Sequence, residues 1–423
     1  MPHSSKPPEL YTPKIITVWR EGYRWRDLRA DAVAGLTVAV VALPLSMGIA
    51  IASGVSPERG LATAIVGGFF ISLLGGSRFQ IGGPAGAFIG LIAGIVERHG
   101  YDGLALATLM AGVMMIAAAA LRVGGYIRLI PHAVIVGFTA SIAVIIAASQ
   151  ISEVLGLKLG HEPVALLPKL AFLHAALPTV NYSTVGIALV TLSLILAIRM
   201  ARPTWPAFLI GITVATLAAA VLHADVATVF SRFGAMPRTL PFPAFPEITL
   251  AKVIAMFPDA VAIALLGAIE SLLSALVADK MSGARHRSNG ELGAQGVGNI
   301  AATAFGGICV TGTIARTATN VRAGSRGPIS GILHSIYLLL FLALAAPLVG
   351  LIPLAALAAM LIVVSWTMTE KAELVAILRA RNAETVILAV TFLLTIFVNL
   401  LTGIAAGVAI ALVLHVYRRA RPA

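Results

Sequence analysis

Apolar runs dominate the chain and recur from Ala32 to Tyr417, separated by short breaks that are polar or rich in glycine and proline. A helix needs about 20 mostly apolar residues to cross the hydrocarbon core of a bilayer, and many of these runs approach that length. The pattern therefore predicts an all-α polytopic membrane protein. We expect fourteen transmembrane segments, at roughly residues 31–53, 58–75, 84–96, 103–121, 129–151, 183–199, 203–222, 256–278, 291–306, 313–325, 329–347, 350–366, 383–399 and 400–418.

The composition supports a membrane protein, and the positions of the basic residues explain its net positive charge. Of the 423 residues, 59% are hydrophobic and 11% are charged, whereas a soluble domain carries about 25% charged residues. The net charge of +12 is typical of nucleic-acid-binding proteins, but here Lys and Arg concentrate in the loops that alternate spans place on one side. This bias follows the positive-inside rule. It predicts cytoplasmic N- and C-termini, a multi-pass protein of the cell inner (plasma) membrane, and no nucleic-acid partner.

The N-terminal thirty residues lack the apolar core of a signal peptide and carry Trp19, Tyr23 and Trp25 among basic residues. Such a segment suits a cytoplasmic helix that lies at the membrane interface and leads into the first span. For its first part, up to about Lys14, a disordered tail fits equally well. Cys309 is the only cysteine, so no intrachain disulfide can form.

Two longer polar stretches, 152–182 and 223–255, fall on the outer side of the predicted topology. The second divides the chain into two halves of seven spans each. Because seven is odd, the second half must run upside down relative to the first. This is the 7+7 inverted repeat of many secondary transporters.

The third span of each half carries a matching irregularity. Gly86 follows Gly76 by ten residues in the first half, and Thr317 follows Gly307 by ten residues in the second. Both spans are short and interrupted by Gly, Pro or Thr. Short, interrupted spans at equivalent places in the two halves indicate a binding site at mid-membrane, built from broken helices.

A helix that begins at mid-membrane directs unpaired N–H groups and about half a positive charge towards whatever lies in front of it. Pro84 suits the first turn of such a helix, and Thr311 and Thr313 can cap the other or offer hydroxyl groups. Arg316 adds a full positive charge inside the second broken span. Together these features favour a small anion as substrate, although Pro84 could also simply kink a span.

Glu270 is the other charge inside a predicted span; every other charged residue falls in a loop, at a span end or in a terminal tail. Ser274 lies one turn further along the same helix face. Ionisable groups at this depth are costly, so retained ones indicate a transport pathway. We expect that protonation of Glu270 favours anion binding, which makes a proton the coupling ion. Two alternatives stay open: sodium held by oxygen atoms of Glu270 and Ser274, or a polar pair that only locks two helices.

The sequence lacks the motifs of the main competing classes. It has no phosphate-binding P-loop, no H-E-x-x-H, no G-x-S-x-G and no cluster of Cys and His. We therefore expect neither an ATP-driven pump nor an enzyme, and no cofactor or resident metal.

Several motifs resemble the SulP family, the sulfate permeases and prestin-like anion transporters. The resemblance lies in three segments that occur in the family's order: Asp31 to Ala50 with Gly54 to Leu61, Ile81 to Phe88, and Arg316-Thr317 with Asn320, Gly324 and Gly331. It covers about residues 25–418 and implies fourteen helices, a homodimer, and an anion carried by a core domain that slides against a gate domain. The implied anion-binding residues are Leu45, Ile49, Gly86, Ala87, Phe88, Thr313, Ile314, Ala315 and Arg316.

By the same resemblance, residues 1–30 form the cytoplasmic or interfacial segment and 226–255 an extracytoplasmic linker. The core domain comprises 31–128 (spans 1–4) and 256–349 (spans 8–11), and the gate domain comprises 129–225 (spans 5–7) and 350–423 (spans 12–14). Most members also carry a STAS domain after the last span, whereas this sequence ends at Ala423, so we expect the membrane domain without it.

The chain departs from the family pattern at three positions. Many members have Gln where this chain has Leu45, animal members often have an aromatic residue near Gly86, and sodium-coupled bicarbonate transporters have Asp where this chain has Glu270. The first two leave the size of the anion open, and the third favours protons. Sulfate, bicarbonate, chloride and dicarboxylates all remain candidate substrates, as do anion exchange and a channel-like conductor.

Overall fold

The computed structural model describes residues 10–129, 131–159, 163–203 and 205–420, and within them nineteen α-helices dominate. Their bounds are α1 Lys14–Arg20, α2 Trp25–Ala52, α3 Pro57–Ala62, α4 Gly68–Leu74, α5 Ile89–Ala120, α6 His132–Ser149, α7 Ile151–Leu155, α8 Leu166–Ala176, α9 Tyr182–Ala201, α10 Ala207–Val221, α11 Val229–Phe233, α12 Leu250–Ser282, α13 Ser288–Ala304, α14 Ile314–Arg322, α15 Ile329–Gly350, α16 Leu354–Met368, α17 Lys371–Ala380, α18 Ala383–Phe397 and α19 Leu400–Ala420. Two short strands, β1 Gly82–Gly83 and β2 Thr311–Gly312, complete the fold.

The chain is a multi-pass membrane protein. Six stretches in the described part are long and apolar enough to cross a bilayer: α2, α5 with the turn before it, α6 with α7, α9, α12 and α15. The pair α16 and α17, bent by 44° at its junction, would give a seventh. Every one of the fourteen predicted spans coincides with a helix or a run of short helices. Since several of these are shorter than a full crossing, the span count of fourteen stays a prediction.

The helices of the predicted spans two to four contain two breaks. The second span consists of α3, a π-turn at Thr63–Gly67 and α4, a combination that can occur at functional sites. The third and fourth spans are two helices that meet at a kink at Gly100, within α5. There φ is +63° and ψ is −172°, a conformation that glycine adopts without steric cost.

The helices pack in two groups. The first contains α2, α4, α5, α12, α13, α14 and α15, and the second contains α6, α7, α9, α10, α16, α18 and α19. The main contacts between the groups are those of α10 and α16 with α2, and of α6 with α5 and the 3₁₀ turn Gly86–Phe88 that precedes it.

The N-terminal helix α1 is tied to the cytoplasmic ends of the first group, on the predicted topology. Lys14 N donates to Gly75 O at 2.9 Å, and Arg287 Nη1 donates to Thr12 O at 2.9 Å. The indole side chains of Trp19 and Trp25 are exposed, as expected for residues that anchor a helix at a membrane interface. The part of the predicted interfacial segment before residue 10 lies outside the described residues.

Candidate anion site

The strands β1 and β2 bring the two broken spans together. They pair antiparallel, with Gly82 opposite Gly312 and Gly83 opposite Thr311. Thr313 N extends the ladder by donating to Ile81 O at 3.0 Å. A helical segment begins just after each strand: the 3₁₀ turn at Gly86–Phe88 after β1, and α14 after β2. The two interrupted spans that the sequence predicts are therefore neighbours within the first helix group.

Both helical segments begin with unpaired backbone donors. In the described part of the chain, no residue accepts a hydrogen bond from the N–H groups of Gly86 and Ala87, nor from those of Ile314, Ala315 and Arg316. The first α-helical bond of α14 runs from Thr317 N to Thr313 O at 3.0 Å. Such N–H groups, together with the helix dipole, attract negative charge.

Two details differ from the sequence expectation for these helix starts. Pro84 lies in the segment without regular structure between β1 and the 3₁₀ turn at Gly86–Phe88, not in the first helical turn. Thr313 is the N-cap residue of α14, but its side chain makes no capping bond to that helix; its Oγ1 donates to Ile81 O at 3.4 Å instead. Because the Thr313 side chain does not cap α14, the backbone donors at the start of that helix have no partner among the described residues.

Arg316 lies beside this junction and is only 2% exposed. Its Nη2 donates to Ser46 Oγ on α2 at 3.1 Å and to Pro84 O at 3.4 Å. Within the described structure its Nε and Nη1 have no hydrogen-bond partner. The guanidinium covers Gly83 so closely that a Cβ atom there would overlap Nη1 and lie 2.8 Å from Cζ. A buried cation with unpaired N–H groups calls for an acceptor, so the donor set fits an anion.

The remaining predicted site residues surround this junction. Leu45, Ile49 and Phe88 are all buried, and Leu45 and Ile49 lie on α2 on either side of Ser46. Gly86 faces the second helix group. A Cβ atom on it would lie 3.1 Å from Ile146 Cδ1 of α6 and 3.4 Å from Met368 Sδ of α16.

Glu270 and Ser274 both lie on α12, but they differ in their hydrogen bonds. Glu270 is 8% exposed and forms no hydrogen bond or ion pair with any residue in the described ranges. Glu270 and Arg316, both within the described ranges, therefore form no direct ion pair. Ser274 Oγ donates to Thr317 Oγ1 at 3.1 Å, and Thr317 Oγ1 also accepts from Ile81 N at 3.1 Å. Ser274 thereby joins α12 to the starts of both broken spans.

A polar stripe on α13 supports both strands, and the sequence reasoning missed it. Glu291 accepts hydrogen bonds at 2.8 Å from Ser77 N, from the side chain of Gln80 and from that of Gln295. Two turns further along α13, Asn299 Nδ2 donates to Val310 O at 2.8 Å, and its Oδ1 accepts from Val310 N at 3.0 Å. The stripe therefore fixes the segment before β1 and the segment before β2. Its spacing of four residues, Glu291-Gln295-Asn299, was visible in the sequence.

One group of potential metal ligands lies away from this junction. Atoms of His132, Glu370 and Glu373 lie within 4.8 Å of one another at the α16–α17 bend, and all three residues are exposed. His132 Nε2 is 3.0 Å from Glu373 Oε2, and acidic residues suit the N-terminus of α17. An ion pair and the helix dipole account for this group without a metal.

Comparison with known proteins identifies the family of the chain. The model of the sulfate permease family matches residues 28–391. The chain belongs to the sulfate permease family. This confirms the resemblance drawn from the sequence motifs, and with it the prediction of a membrane transport protein rather than an enzyme.

Within the sulfate permease family, two bacterial relatives are similar over most of their length. YvdB of Bacillus subtilis, whose name proposes sulfate as its substrate, is 43% identical over 94% of this chain and 75% of its own. The bicarbonate transporter BicA of Picosynechococcus is 30% identical over 93% of this chain and 71% of its own.

Solved structures give the same fold. The transmembrane domain of a cyanobacterial BicA matches with a TM-score of 0.81 at 28% identity, covering 90% of this chain and 98% of that one. The murine anion transporter Slc26a9 in its inward-facing state matches with a TM-score of 0.86 at 17% identity, covering 97% and 71%. The second likeness is one of fold alone.

Proposed function

We propose that the protein is a secondary active transporter of small anions, of the sulfate, bicarbonate or dicarboxylate class, and that it is coupled to protons. The observation that carries the proposal is the meeting of two helix starts with unpaired N–H groups beside the buried guanidinium of Arg316. Two helix N-termini contribute about half a positive charge each, and Arg316 adds one more. About two positive charges in a membrane interior favour an anionic ligand.

The family supports the substrate class. Relatives carry the names of sulfate and bicarbonate transporters, among them the sodium-independent sulfate anion transporter of Bos taurus, 28% identical over 96% of this chain. Both anions present several acceptor oxygens, which suits a set of directional N–H donors. The bound anion would contact Gly86, Ala87 and the start of α14 at Ile314 to Arg316, with Leu45, Ile49 and Phe88 as apolar walls.

For the transport step we propose an elevator-type movement of the first helix group, the core, against the second, the gate. The antiparallel pairing of β1 with β2 supports an inverted repeat of seven plus seven spans, because a two-fold axis in the membrane plane would relate such segments in this way. The side chains that face Gly86 from the gate, Ile146 and Met368, are apolar, as a sliding surface requires. A homodimer in the inner membrane, with both termini cytoplasmic, completes the proposal.

For the coupling ion we propose a proton on Glu270. Glu270 is buried and has no ion-pair partner in the described part of the chain, and such a carboxylate is costly when charged. A proton can therefore bind it as the anion enters the positive site. Sodium is the alternative, since Ser274 is one turn away and its oxygen could join Glu270 as a ligand. Anion exchange and channel-like conduction would use the same anion site without a coupled cation.

Uptake into proteoliposomes tests the proposal. Labelled sulfate, bicarbonate, chloride and fumarate are offered with and without an inward proton gradient, and with and without sodium. We expect one or two of these anions to accumulate faster with the proton gradient. Stimulation by sodium alone would replace the proton by the alternative ion. Flux that responds to neither gradient would indicate exchange or a channel, and the absence of any anion flux would refute the proposed function.

A further inference from the structure

We infer that Ser46 is a positioning residue: it fixes the guanidinium of Arg316 and so sets the selectivity between oxyanions and halides. The inference rests on the proposed function of the anion site. Ser46 lies on α2 next to Leu45, is fully buried, and was not among the anion-binding residues that the resemblance implied.

The hydrogen bonds of Ser46 give its hydroxyl a defined direction. Ser46 Oγ donates its proton to Ala42 O, one turn earlier on α2, at 2.6 Å. The oxygen is then an acceptor only, and it accepts from Arg316 Nη2 at 3.1 Å. Among the residues that the structure describes, Ser46 is the only one whose side chain hydrogen-bonds to this guanidinium; the other acceptor is the backbone oxygen of Pro84, at 3.4 Å.

The surroundings leave the guanidinium little freedom while Ser46 is present. Gly83 lies against Nη1 and Cζ, so the group is confined by Gly83 and held at Nη2 by Ser46 and Pro84. The backbone of α2 is also fixed here, because a Cβ atom on Gly60 of the adjacent helix α3 would overlap the backbone oxygen of Ser46. Removal of the hydroxyl alone would therefore leave Nη2 with the longer bond to Pro84 O, at 3.4 Å, and so loosen the guanidinium without moving the helix.

The orientation of the Arg316 guanidinium matters more for the binding of an oxyanion than for the binding of a halide. Sulfate or bicarbonate accepts hydrogen bonds along defined directions, so its binding depends on where the N–H groups of Nε and Nη1 point. A halide is spherical, and its attraction to the site depends mainly on the distance to the charge. A guanidinium that is held in one direction therefore favours oxyanions, and one that rotates gives up that preference.

The test compares Ser46→Ala with Ser141→Ala, a matched control. Ser141 is a buried serine on α6 whose hydroxyl also donates to its own helix, to Phe138 O at 2.7 Å, without contact to Arg316. Binding of sulfate, bicarbonate and chloride to the purified full chain is measured by titration calorimetry, and thermal unfolding reports the integrity of each variant. Ser46→Thr, which keeps the hydroxyl, serves as the rescue variant.

We expect Ser46→Ala to raise the Kd of the preferred oxyanion about 10- to 100-fold, the loss of one hydrogen bond to a charged group, while the Kd of chloride changes less than about 2-fold. In transport, KM rises with little change in the maximal rate, and Ser141→Ala behaves like the wild type. Equal weakening of both anions, or none, would overturn the role of Ser46 even if the wild type transports normally. A wild type that binds none of the three anions would instead refute the proposed function itself.

Discussion

A methyl group at Gly83 is a specific probe of the anion site, because the nearest atoms that it would meet all belong to Arg316. Gly83 is not among the glycines with positive φ, so alanine can adopt its backbone conformation without strain. The obstacle is the guanidinium of Arg316, whose Nη1 would overlap the new Cβ atom and whose Cζ would lie 2.8 Å away. Gly83→Ala must therefore displace Arg316 while leaving its charge in place.

The size of the effect follows from the bonds that the displacement breaks. Arg316 Nη2 holds Ser46 Oγ at 3.1 Å and Pro84 O at 3.4 Å, and a shift of the guanidinium loses at least one of them. A hydrogen bond to a charged group contributes about 1.5–3 kcal/mol. Since each 1.4 kcal/mol is a factor of ten, we expect the Kd of the transported anion to rise about 10- to 100-fold.

The assay is anion titration of the purified protein, with Gly94→Ala as the control. Gly94 lies on α5, and the nearest atom to a Cβ there is Arg98 Nη1 at 3.3 Å, the end of an exposed and flexible side chain. The control should bind anions like the wild type and be at least as stable, since alanine favours helices. Wild-type affinity in a folded Gly83→Ala variant would refute the placement of Arg316 at the site.

Three further variants test other parts of the account. Arg316→Lys keeps the charge but not the directional donors, so labelled oxyanion uptake should show a KM raised at least about 10-fold; an unchanged KM would make the charge alone sufficient. Glu270→Gln should abolish the response of uptake to an inward proton gradient while anion binding persists, and a response equal to that of the wild type would exclude Glu270 as the proton site. Asn299→Ala leaves the buried N–H and C=O groups of Val310 without partners and should lower unfolding stability by about 2–4 kcal/mol in denaturant titrations. An effect below about 0.5 kcal/mol would mean that α13 does not hold β2.

The sequence predicted the helices and the two helix starts at the candidate site because both leave local marks. Apolar runs mark the helices, and the interrupted third spans around Gly86 and Thr317 mark the two helix starts. The pairing of Gly82 with Gly312 joins segments that are distant in the chain. No local pattern encodes that register, so only the folded structure could provide it.

The polar contacts were harder to predict for a related reason. Glu291 and Asp31 looked like charges at the ends of spans, yet both are fully buried. Asp31 Oδ1 accepts from Gly327 N at 3.0 Å, and Oδ2 accepts from Tyr23 OH at 2.6 Å, so the carboxylate ties α2 to the turn before α15. Sequence shows which residues can ionise. Their partners depend on how distant helices pack.

Selenate, a heavier analogue of sulfate, offers the most direct test of the central claim, that an anion binds between the two helix starts beside Arg316. An experimental structure of the protein in a lipid environment, determined with saturating selenate, would locate the anion by its anomalous or map density. The account predicts density within hydrogen-bond distance of the N–H groups of Gly86, Ala87 or Ile314 to Arg316 and of the Arg316 side chain. Ordered selenate elsewhere in the membrane domain, with none at this junction, would contradict it.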